Sequence, residues 1–121
     1  MEQIEYFAFY GSLRRGMPLY QQYQSHLEYQ FSVWLKGFEL YSLGPYPYAI
    51  RSSDPSSKIL VEIFWIEDER TRYEIQEIEL QAGYVLEEIE VRGTNSRIFL
   101  FSKNGNDPKV LSGDWVDFFG R

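Results

Sequence analysis

The sequence predicts an α+β fold, in which a small curved or barrel-like mixed β-sheet of about six strands carries two helices at one side. Three observations support this fold class. Aromatic residues make up 18% of the 121 residues, and aromatic side chains favour strands. Short apolar or alternating segments recur between turns that contain glycine or proline. The length lies in the usual range of about 100–150 residues for one domain, so we expect residues 1–121 to form a single domain.

The predicted strands differ in how they meet the core. Residues 4–10 are almost continuously apolar and aromatic, which predicts a buried central strand that Gly11 ends. Residues 31–41 alternate apolar and polar side chains and predict one half-buried strand. The sequence Gly93-Thr94-Asn95 predicts the turn of a hairpin. The other predicted strands cover residues 48–51, 58–66, 84–91 and 97–103, and a turn at 104–108 follows the last of them.

Two segments carry helix signals. Pro18 suits the first turn of a helix, and residues 19–27 predict a short polar helix. The acidic pair at 67–68 would place negative charge at the positive end of a second helix. We expect that helix to run to about residue 80 before Gly83 ends it.

The composition excludes several kinds of chemistry. The chain contains no cysteine, which excludes disulfide scaffolds, thiolate metal sites and cysteine nucleophiles. His26 is the only histidine, so a histidine-rich metal site is excluded and a Ser-His-Asp triad would depend on that one residue. We therefore expect the protein to use no metal and no cofactor.

Charge and hydropathy bear on partners and location. The formal net charge is −6 without a dense basic stretch, so we expect neither nucleic acid nor an anionic membrane as a partner. The N-terminus is acidic before it becomes apolar, unlike a signal peptide, and no apolar run approaches the ~20 residues that cross a bilayer. We expect a cytoplasmic protein that is a monomer and binds a small molecule.

The segment 10–16, with the sequence YGSLRRG, is the most distinctive candidate site. A buried strand that ends in a glycine turn exposes successive backbone N–H groups, which can hold a carboxylate or an oxyanion. The same segment would also serve as an ordinary connection between a strand and a helix. It contains neither phosphate-loop motif, GxxxxGK[ST] or GxGxxG. Arg14 and Arg15 lie beyond the glycine turn, and we expect both side chains to be solvated.

YGSLRRG after an apolar strand resembles the YG[ST]LRRG signature of the γ-glutamyl cyclotransferase superfamily, which includes the γ-glutamylamine cyclotransferases and the AIG2-like proteins. Three further segments follow in the same order as in that family. GPYP at 44–47 is similar to the family's G.yP turn, IQEIE at 75–79 to LD.LE, and SGDW at 112–115 to sGdW. The resemblance therefore covers nearly the whole chain and implies the γ-glutamyl cyclotransferase-like fold.

The resemblance also implies a reaction and a set of site residues. In this family the free α-amine of a γ-glutamyl group attacks its own γ-carbonyl, which releases 5-oxoproline and an amine. No protein nucleophile or cofactor is needed, so the enzyme would be an acyltransferase or lyase of the γ-glutamylamine cyclotransferase type. The implied residues are Glu79 as the catalytic acid and base, and Tyr10, Gly11, Ser12, Leu13 and Tyr84 as the substrate-binding residues.

Glu79 has some support from its position in the predicted helix. It lies four residues after Ile75 and one after Ile78, which places it beside the inward stripe of the helix near its end. Burial there would raise the pKa of its carboxyl toward the range useful for general acid and base catalysis. A helical glutamate is more often a solvated charge, which is how we interpret Glu74 and Glu77.

Departures from the family pattern leave alternatives open. Leu86 stands where the family usually has arginine, and Gln76 stands where aspartate is common. Val61 replaces a glycine, which predicts a narrower pocket, and Glu62 beside it is a second candidate carboxylate. Trp115 is expected to lie in the core or to cover the end of the sheet.

Two alternatives concern the function itself. One is a non-catalytic small-molecule binding domain of the same fold. The other is an enzyme that removes a γ-glutamyl protecting group during the assembly of a specialised metabolite. The sequence leaves the leaving amine undefined, because variable loops recognise it.

Overall fold

The computed structural model describes residues 4–101 and 106–120, which form seven strands and three α-helices. This confirms the predicted α+β class, with one strand and one helix more than predicted. The strands are β1 Tyr6–Phe9, β2 Glu28–Lys36, β3 Phe38–Ser42, β4 Pro47–Arg51, β5 Lys58–Trp65, β6 Val85–Val91 and β7 Thr94–Leu100. The helices are α1 Pro18–Tyr23, α2 Glu69–Gln81 and α3 Trp115–Phe119, and a 3₁₀ turn at Gln24–His26 follows α1.

The strands form a five-stranded sheet in the order β2-β5-β1-β7-β6 and a separate two-stranded sheet of β3 and β4. Strand β1 is antiparallel to β5 and parallel to β7, which makes the larger sheet mixed. The smaller sheet lies against the larger one, where the Phe101 amide donates to the Ala49 carbonyl over 3.0 Å. Each sheet keeps its edge strands, so the described residues do not form a closed barrel.

The single strand predicted for residues 31–41 is wrong, because the chain turns at Gly37. This glycine has φ +85°, a conformation that other residues rarely adopt, and it separates β2 from β3. Its amide donates to the Ser57 carbonyl and its carbonyl accepts from the Ser52 amide, which fixes the turn. Apolar residues lie at odd-numbered positions before the glycine and at even-numbered positions after it, so the alternation changes phase there, a signal that the single-strand prediction did not use.

The turn of the last hairpin lies one residue earlier than predicted. Arg92 has φ +49° and Gly93 has φ +78°, as in a two-residue turn that matches the twist of its strands. Val91 therefore already pairs with Thr94, which the sequence had placed in the turn. The predicted end of this strand at residue 103 and the start of the turn after it lie outside the described residues.

The helices begin at side-chain caps or at proline. Asp68 accepts the Thr71 amide at 3.0 Å and caps α2, whose bounds lie within one residue of those predicted. Asp114 accepts the Asp117 amide at 3.3 Å and caps α3, the helix that the sequence did not predict. Pro18 opens α1, which is shorter than predicted. None of these helices has the length and apolar content to cross a membrane.

Strand β1 lies at the centre of the core. Its alternating side chains enter two apolar clusters, with Ala8 in one and Phe7 and Phe9 in the other. Trp115 is fully buried in the Ala8 cluster, which confirms its predicted place in the core. The fold therefore holds β1 from both faces and fixes where its C-terminal end, and the loop after it, come to lie.

Candidate active site

A cavity of about 710 Å³ opens at the C-terminal end of β1. Six parts of the chain surround it: the end of β1 with the loop after it, helix α1, the turn between β3 and β4, the end of α2 with Tyr84, the last residues of β7 with Phe101, and Phe119 of α3. The walls are mainly apolar and aromatic. Glu79 is the only aspartate or glutamate among the described residues that line the cavity, and no lysine, arginine or histidine lines it there. The site therefore places one carboxyl group in a largely hydrophobic environment.

Glu79 lies in the last turn of α2, where the chain reverses. Gly83 adopts φ +100° just beyond the helix, and the Tyr84 amide then donates to the Glu79 carbonyl over 3.0 Å. Burial raises the pKa of the Glu79 carboxyl to about 7, because the protein removes much of the water that would hydrate the charged form. Among the described residues, no side chain or backbone group donates a hydrogen bond to this carboxyl. It is therefore available to a ligand.

Tyr84 lies beside Glu79 and is held by the turn between β3 and β4. Its hydroxyl donates to the Pro47 carbonyl over 2.5 Å, and its ring packs on Phe101 at 4.4 Å between centroids. Burial, and to a lesser extent the charge of Glu79, raises the pKa of the Tyr84 hydroxyl. The hydroxyl proton is thus used in the hydrogen bond to Pro47, while the hydroxyl oxygen can still accept a hydrogen bond from another group.

Tyr10 lies in the cavity wall, but its hydroxyl has structural partners. It donates to the Phe99 carbonyl over 2.5 Å and accepts from the Ala49 amide at 3.2 Å. Burial raises the pKa of the Tyr10 hydroxyl well above its ordinary value, with smaller contributions from Tyr84 and Glu79. Tyr10 thereby connects β1 to both β4 and β7 and remains a neutral phenol.

Three residues of the loop after β1 line the cavity and carry amides without a partner in the described part of the chain. The N–H groups of Gly11, Ser12 and Leu13 donate to no acceptor among the described residues. Carbonyl groups of the same loop are hydrogen-bonded and fix its conformation. Arg14 N–H donates to the Gly11 carbonyl over 2.9 Å, and Tyr20 N–H donates to the Ser12 carbonyl over 3.1 Å. Unpaired, neighbouring N–H groups in a turn can bind an anion.

Gly11 is required by the close approach of the neighbouring chain. A Cβ atom added to it would lie 2.5 Å from Cγ of Pro47, closer than packed carbon atoms can approach. The first loop residue and the turn between β3 and β4 are therefore in direct contact. Because the Tyr84 hydroxyl also donates to the Pro47 carbonyl, this proline contacts both the loop after β1 and Tyr84.

Arg14 is not solvated as the sequence suggested. It is buried, with its Nε 3.1 Å from Glu62 and its Nη1 2.7 Å from Asp114. Arg15 is half-exposed, as expected for a loop residue, yet its amide and its Nε both donate to Glu62 and its guanidinium lies over the Tyr29 ring at 3.6 Å. Glu62, the second candidate carboxylate, is thus occupied by two arginines and does not line the cavity.

The departures from the family pattern lie away from the cavity. Val61 is fully buried in the core and does not line the cavity, so the narrowing predicted there does not occur. Leu86 packs against the cluster that contains Phe99 and does not line the cavity either.

Several cavity residues were not found from the sequence. They share large apolar side chains and come from segments far apart in the chain, so no local spacing links them. The GPYP motif contains Tyr46 and the IQEIE motif contains Ile78, but the first indicated a turn and the second a helix stripe rather than a cavity wall. These residues are Leu43, Tyr46, Ile78 and Phe119.

Known proteins share both this sequence pattern and this fold. A family model described as gamma-glutamyl cyclotransferase, AIG2-like, matches residues 7–117. A candidate gamma-glutamylcyclotransferase of Pyrococcus horikoshii is 30% identical over 108 residues, which are 89% of this chain and 88% of that protein. The crystal structure of the same Pyrococcus horikoshii protein superposes with a TM-score of 0.81 and 27% identity, covering 97% of this chain and 93% of that one.

Two more distant structures share the fold alone. The Escherichia coli protein c4763 has a TM-score of 0.80 at 19% identity, covering 99% of this chain and 98% of that one. A mouse AIG2-like protein has a TM-score of 0.68 at 15% identity, covering 87% of this chain and 82% of that one. The fold and the sequence together define a small cyclotransferase-like α+β protein. The chain belongs to the AIG2-like gamma-glutamyl cyclotransferase family, as its motifs predicted.

Proposed function

We propose that this protein is a γ-glutamyl cyclotransferase that converts a γ-glutamyl amine into 5-oxoproline and a free amine. The observation that carries the proposal is the presence, in one cavity, of a carboxyl group whose pKa is about 7 and of three loop amides, the carboxyl being the only one in the described lining and the amides having no acceptor among the described residues. The reaction needs a proton acceptor near neutral pH and an anion-binding group, and these two features supply both.

Each end of the γ-glutamyl group has a partner in this arrangement. The α-ammonium donates to the Glu79 carboxylate and to the oxygen of Tyr84, whose own proton is already used by Pro47. The amides of the loop after β1 hold the substrate's carboxylate or the oxyanion that forms at the γ-carbonyl. When the loop amides hold the γ-carbonyl oxygen, both ends of the group are bound, which folds the substrate and brings its α-nitrogen toward the γ-carbon, so the attack is intramolecular and favoured by proximity.

The proton transfers balance around Glu79. Its carboxylate removes one proton from the α-ammonium, and the freed nitrogen lone pair forms a bond to the γ-carbonyl carbon. The new ring nitrogen then loses a second proton as the tetrahedral centre collapses. The bond from that carbon to the leaving nitrogen breaks, and the leaving amine takes up both protons. Glu79 returns to its starting state, so no cofactor or protein nucleophile enters the reaction.

The test is release of 5-oxoproline from a panel of γ-glutamyl amines, γ-glutamyl dipeptides and glutathione. Wild type is compared with Glu79→Gln, and Glu77→Gln serves as a matched control because Glu77 is on the same helix but does not line the cavity. Circular dichroism establishes that all three proteins are folded. We expect turnover by wild type and Glu77→Gln, and a loss of at least about 100-fold in Glu79→Gln.

Two results would contradict the proposal. Equal activity of Glu79→Gln and wild type would remove Glu79 from the mechanism. A wild type that turns over no panel member, yet is stabilised against heat by a γ-glutamyl compound, would indicate a binding domain of the same fold.

A further inference from the structure

The mouth of the cavity is formed by large apolar side chains that remain in contact with solvent. Tyr46 is 58% exposed, Phe119 is 46% exposed, and Ile78 and Leu43 are exposed by 38% and 37%. All four line the same cavity as Glu79, and we call them the apolar rim. A soluble protein rarely groups exposed apolar side chains around a cavity unless they contact a ligand or a partner.

Three different elements supply the apolar rim, and each is held in place. Leu43 N–H donates to the Tyr46 carbonyl over 2.8 Å, which closes the turn between β3 and β4. Phe119 belongs to α3, which is capped by Asp114 and packs through the buried Trp115. The apolar rim is thus a preformed surface beside the Glu79 carboxyl group, and ligand binding does not have to order it.

The charges of the cavity limit what can lie against that rim. In the described part of the lining, no cationic side chain is present to pair with a carboxylate on the leaving group. A carboxylate there would lose hydration against an apolar surface and would also face the negative charge of Glu79. A second ammonium would be no better placed, because the one acidic side chain is already used by the substrate's α-ammonium.

The size of the cavity leaves room for a substituent on the amine. Cavities of about 300–1,000 Å³ hold whole ligands of drug size, and this cavity measures about 710 Å³. A γ-glutamyl group is smaller than such a ligand. Aromatic rings pack favourably on other rings, and Tyr46 and Phe119 both offer partly exposed ring surface in the cavity lining.

We propose that the substituent on the leaving amine is uncharged and apolar, an aryl or arylalkyl group that packs against Tyr46 and Phe119 on the apolar rim. This inference rests on the proposed function and adds a substrate class to it. The site accordingly discriminates against γ-glutamyl amino acids, whose leaving group carries a carboxylate, and against γ-glutamyl derivatives of lysine, whose leaving group carries further charges.

The test compares three substrates that differ only in the leaving amine: γ-glutamyl benzylamide, γ-glutamylglycine and the isopeptide of γ-glutamate with the ε-amine of lysine. We expect kcat/KM for the benzylamide to exceed that for the other two by at least 10-fold. Tyr46→Ala and Phe119→Ala should each reduce that preference about 3- to 10-fold. Tyr73→Ala is the matched control, since Tyr73 is 65% exposed on α2 and does not line the cavity, and it should leave the preference unchanged.

A binding measurement separates this inference from the proposed function. Glu79→Gln is titrated calorimetrically with the same three compounds, and tighter binding of the benzylamide supports the inference whether or not wild type shows turnover. Turnover of all three compounds at equal rates would keep the cyclotransferase and overturn the substrate class. Rim variants that change the oligomeric state in size-exclusion chromatography, and leave the preference intact, would assign the rim to an interface and overturn the inference. If none of the three compounds is turned over by wild type or bound by Glu79→Gln, both the substrate class and the proposed function would be overturned.

Discussion

The guanidinium of Arg14 lies 2.7 Å from the carboxylate of Asp114, so residues separated by 100 positions in the chain form one ion pair. Its Nε contacts Glu62 of β5 at the same time. Asp114 is also the N-cap of α3, the helix that carries Phe119 to the mouth of the cavity. One buried side chain therefore connects the loop after β1, the central sheet and the helix at the cavity mouth.

Replacing Arg14 should reduce folding stability far more than replacing Arg15. Arg14→Met removes the buried cation that contacts both Glu62 and Asp114, and removing one partner of a buried ion pair costs about 3–5 kcal/mol. Arg15→Met is the control, because the Arg15 side chain is half-exposed although it also contacts Glu62, and it should cost less than about 1 kcal/mol. Urea unfolding at pH 7 measures both losses of unfolding free energy. Equal losses would show that the buried position of Arg14 does not increase its contribution to stability.

The raised pKa of Glu79 should make folding stability depend on pH. The pKa rises from 4.5 to about 7 because burial penalises the charged form, so the folded state binds more protons than the unfolded state between these values. Stability is therefore lost as the pH rises through this window. Glu79→Gln has no such group, and it should exceed wild type in unfolding free energy by about 1–3 kcal/mol at pH 8.

The same comparison at pH 4.5 supplies the control, because Glu79 is then protonated in the folded protein and resembles glutamine. The difference between the two proteins should shrink to less than about 0.5 kcal/mol. A constant difference across pH 4.5–8 would show that Glu79 keeps its ordinary pKa in the folded state.

The two cavity tyrosines should respond differently to loss of the hydroxyl. Tyr10→Phe leaves the Phe99 carbonyl and the Ala49 amide without their partner, and should cost about 2–3 kcal/mol of stability while kcat changes little. Tyr84→Phe loses one bond to Pro47, and should cost about 1–2 kcal/mol. It also removes the oxygen proposed to accept from the α-ammonium, so kcat/KM should fall about 10-fold. A larger kinetic loss in Tyr10→Phe would reverse these roles.

Gly11 and Ser12 offer a matched test of the loop. Gly11→Ala would place a Cβ against Pro47 and should move the loop, with a loss of about 1–3 kcal/mol in stability and a marked loss of substrate affinity. Ser12→Ala keeps the backbone N–H groups and should retain most of the affinity. If Ser12→Ala is the more damaging change in calorimetric titration, the side chain rather than the backbone binds the substrate.

The elements with strong local signals could be predicted from the sequence. The second helix was placed within one residue at each end, because Asp68 caps it and Gly83 adopts the left-handed conformation after it. The prediction missed the break at Gly37, where the apolar residues change from odd to even positions, and the positive φ of this glycine appears only in the fold. Short helix α3 was missed because five residues give too little periodicity.

The candidate site was only partly accessible to the same reasoning. Motifs pointed to Glu79 and the loop after β1, and these do line one cavity. The ion pairs of Arg14 depend on contacts across the whole chain, and loop arginines are usually solvated, so their burial required the structure. The apolar rim likewise combines segments that are distant in sequence, and no spacing rule connects them.

The most direct test of the central claim, that Glu79 is the acid and base of the cyclisation, is the pH dependence of kcat/KM for the best substrate. We predict that kcat/KM rises with pH through an apparent pKa near 7, as the carboxylate forms, and that Glu79→Gln lacks both this rise and most of the activity. A wild-type profile that stays flat between pH 6 and 8, or a Glu79→Gln variant that keeps the wild-type profile, would contradict it.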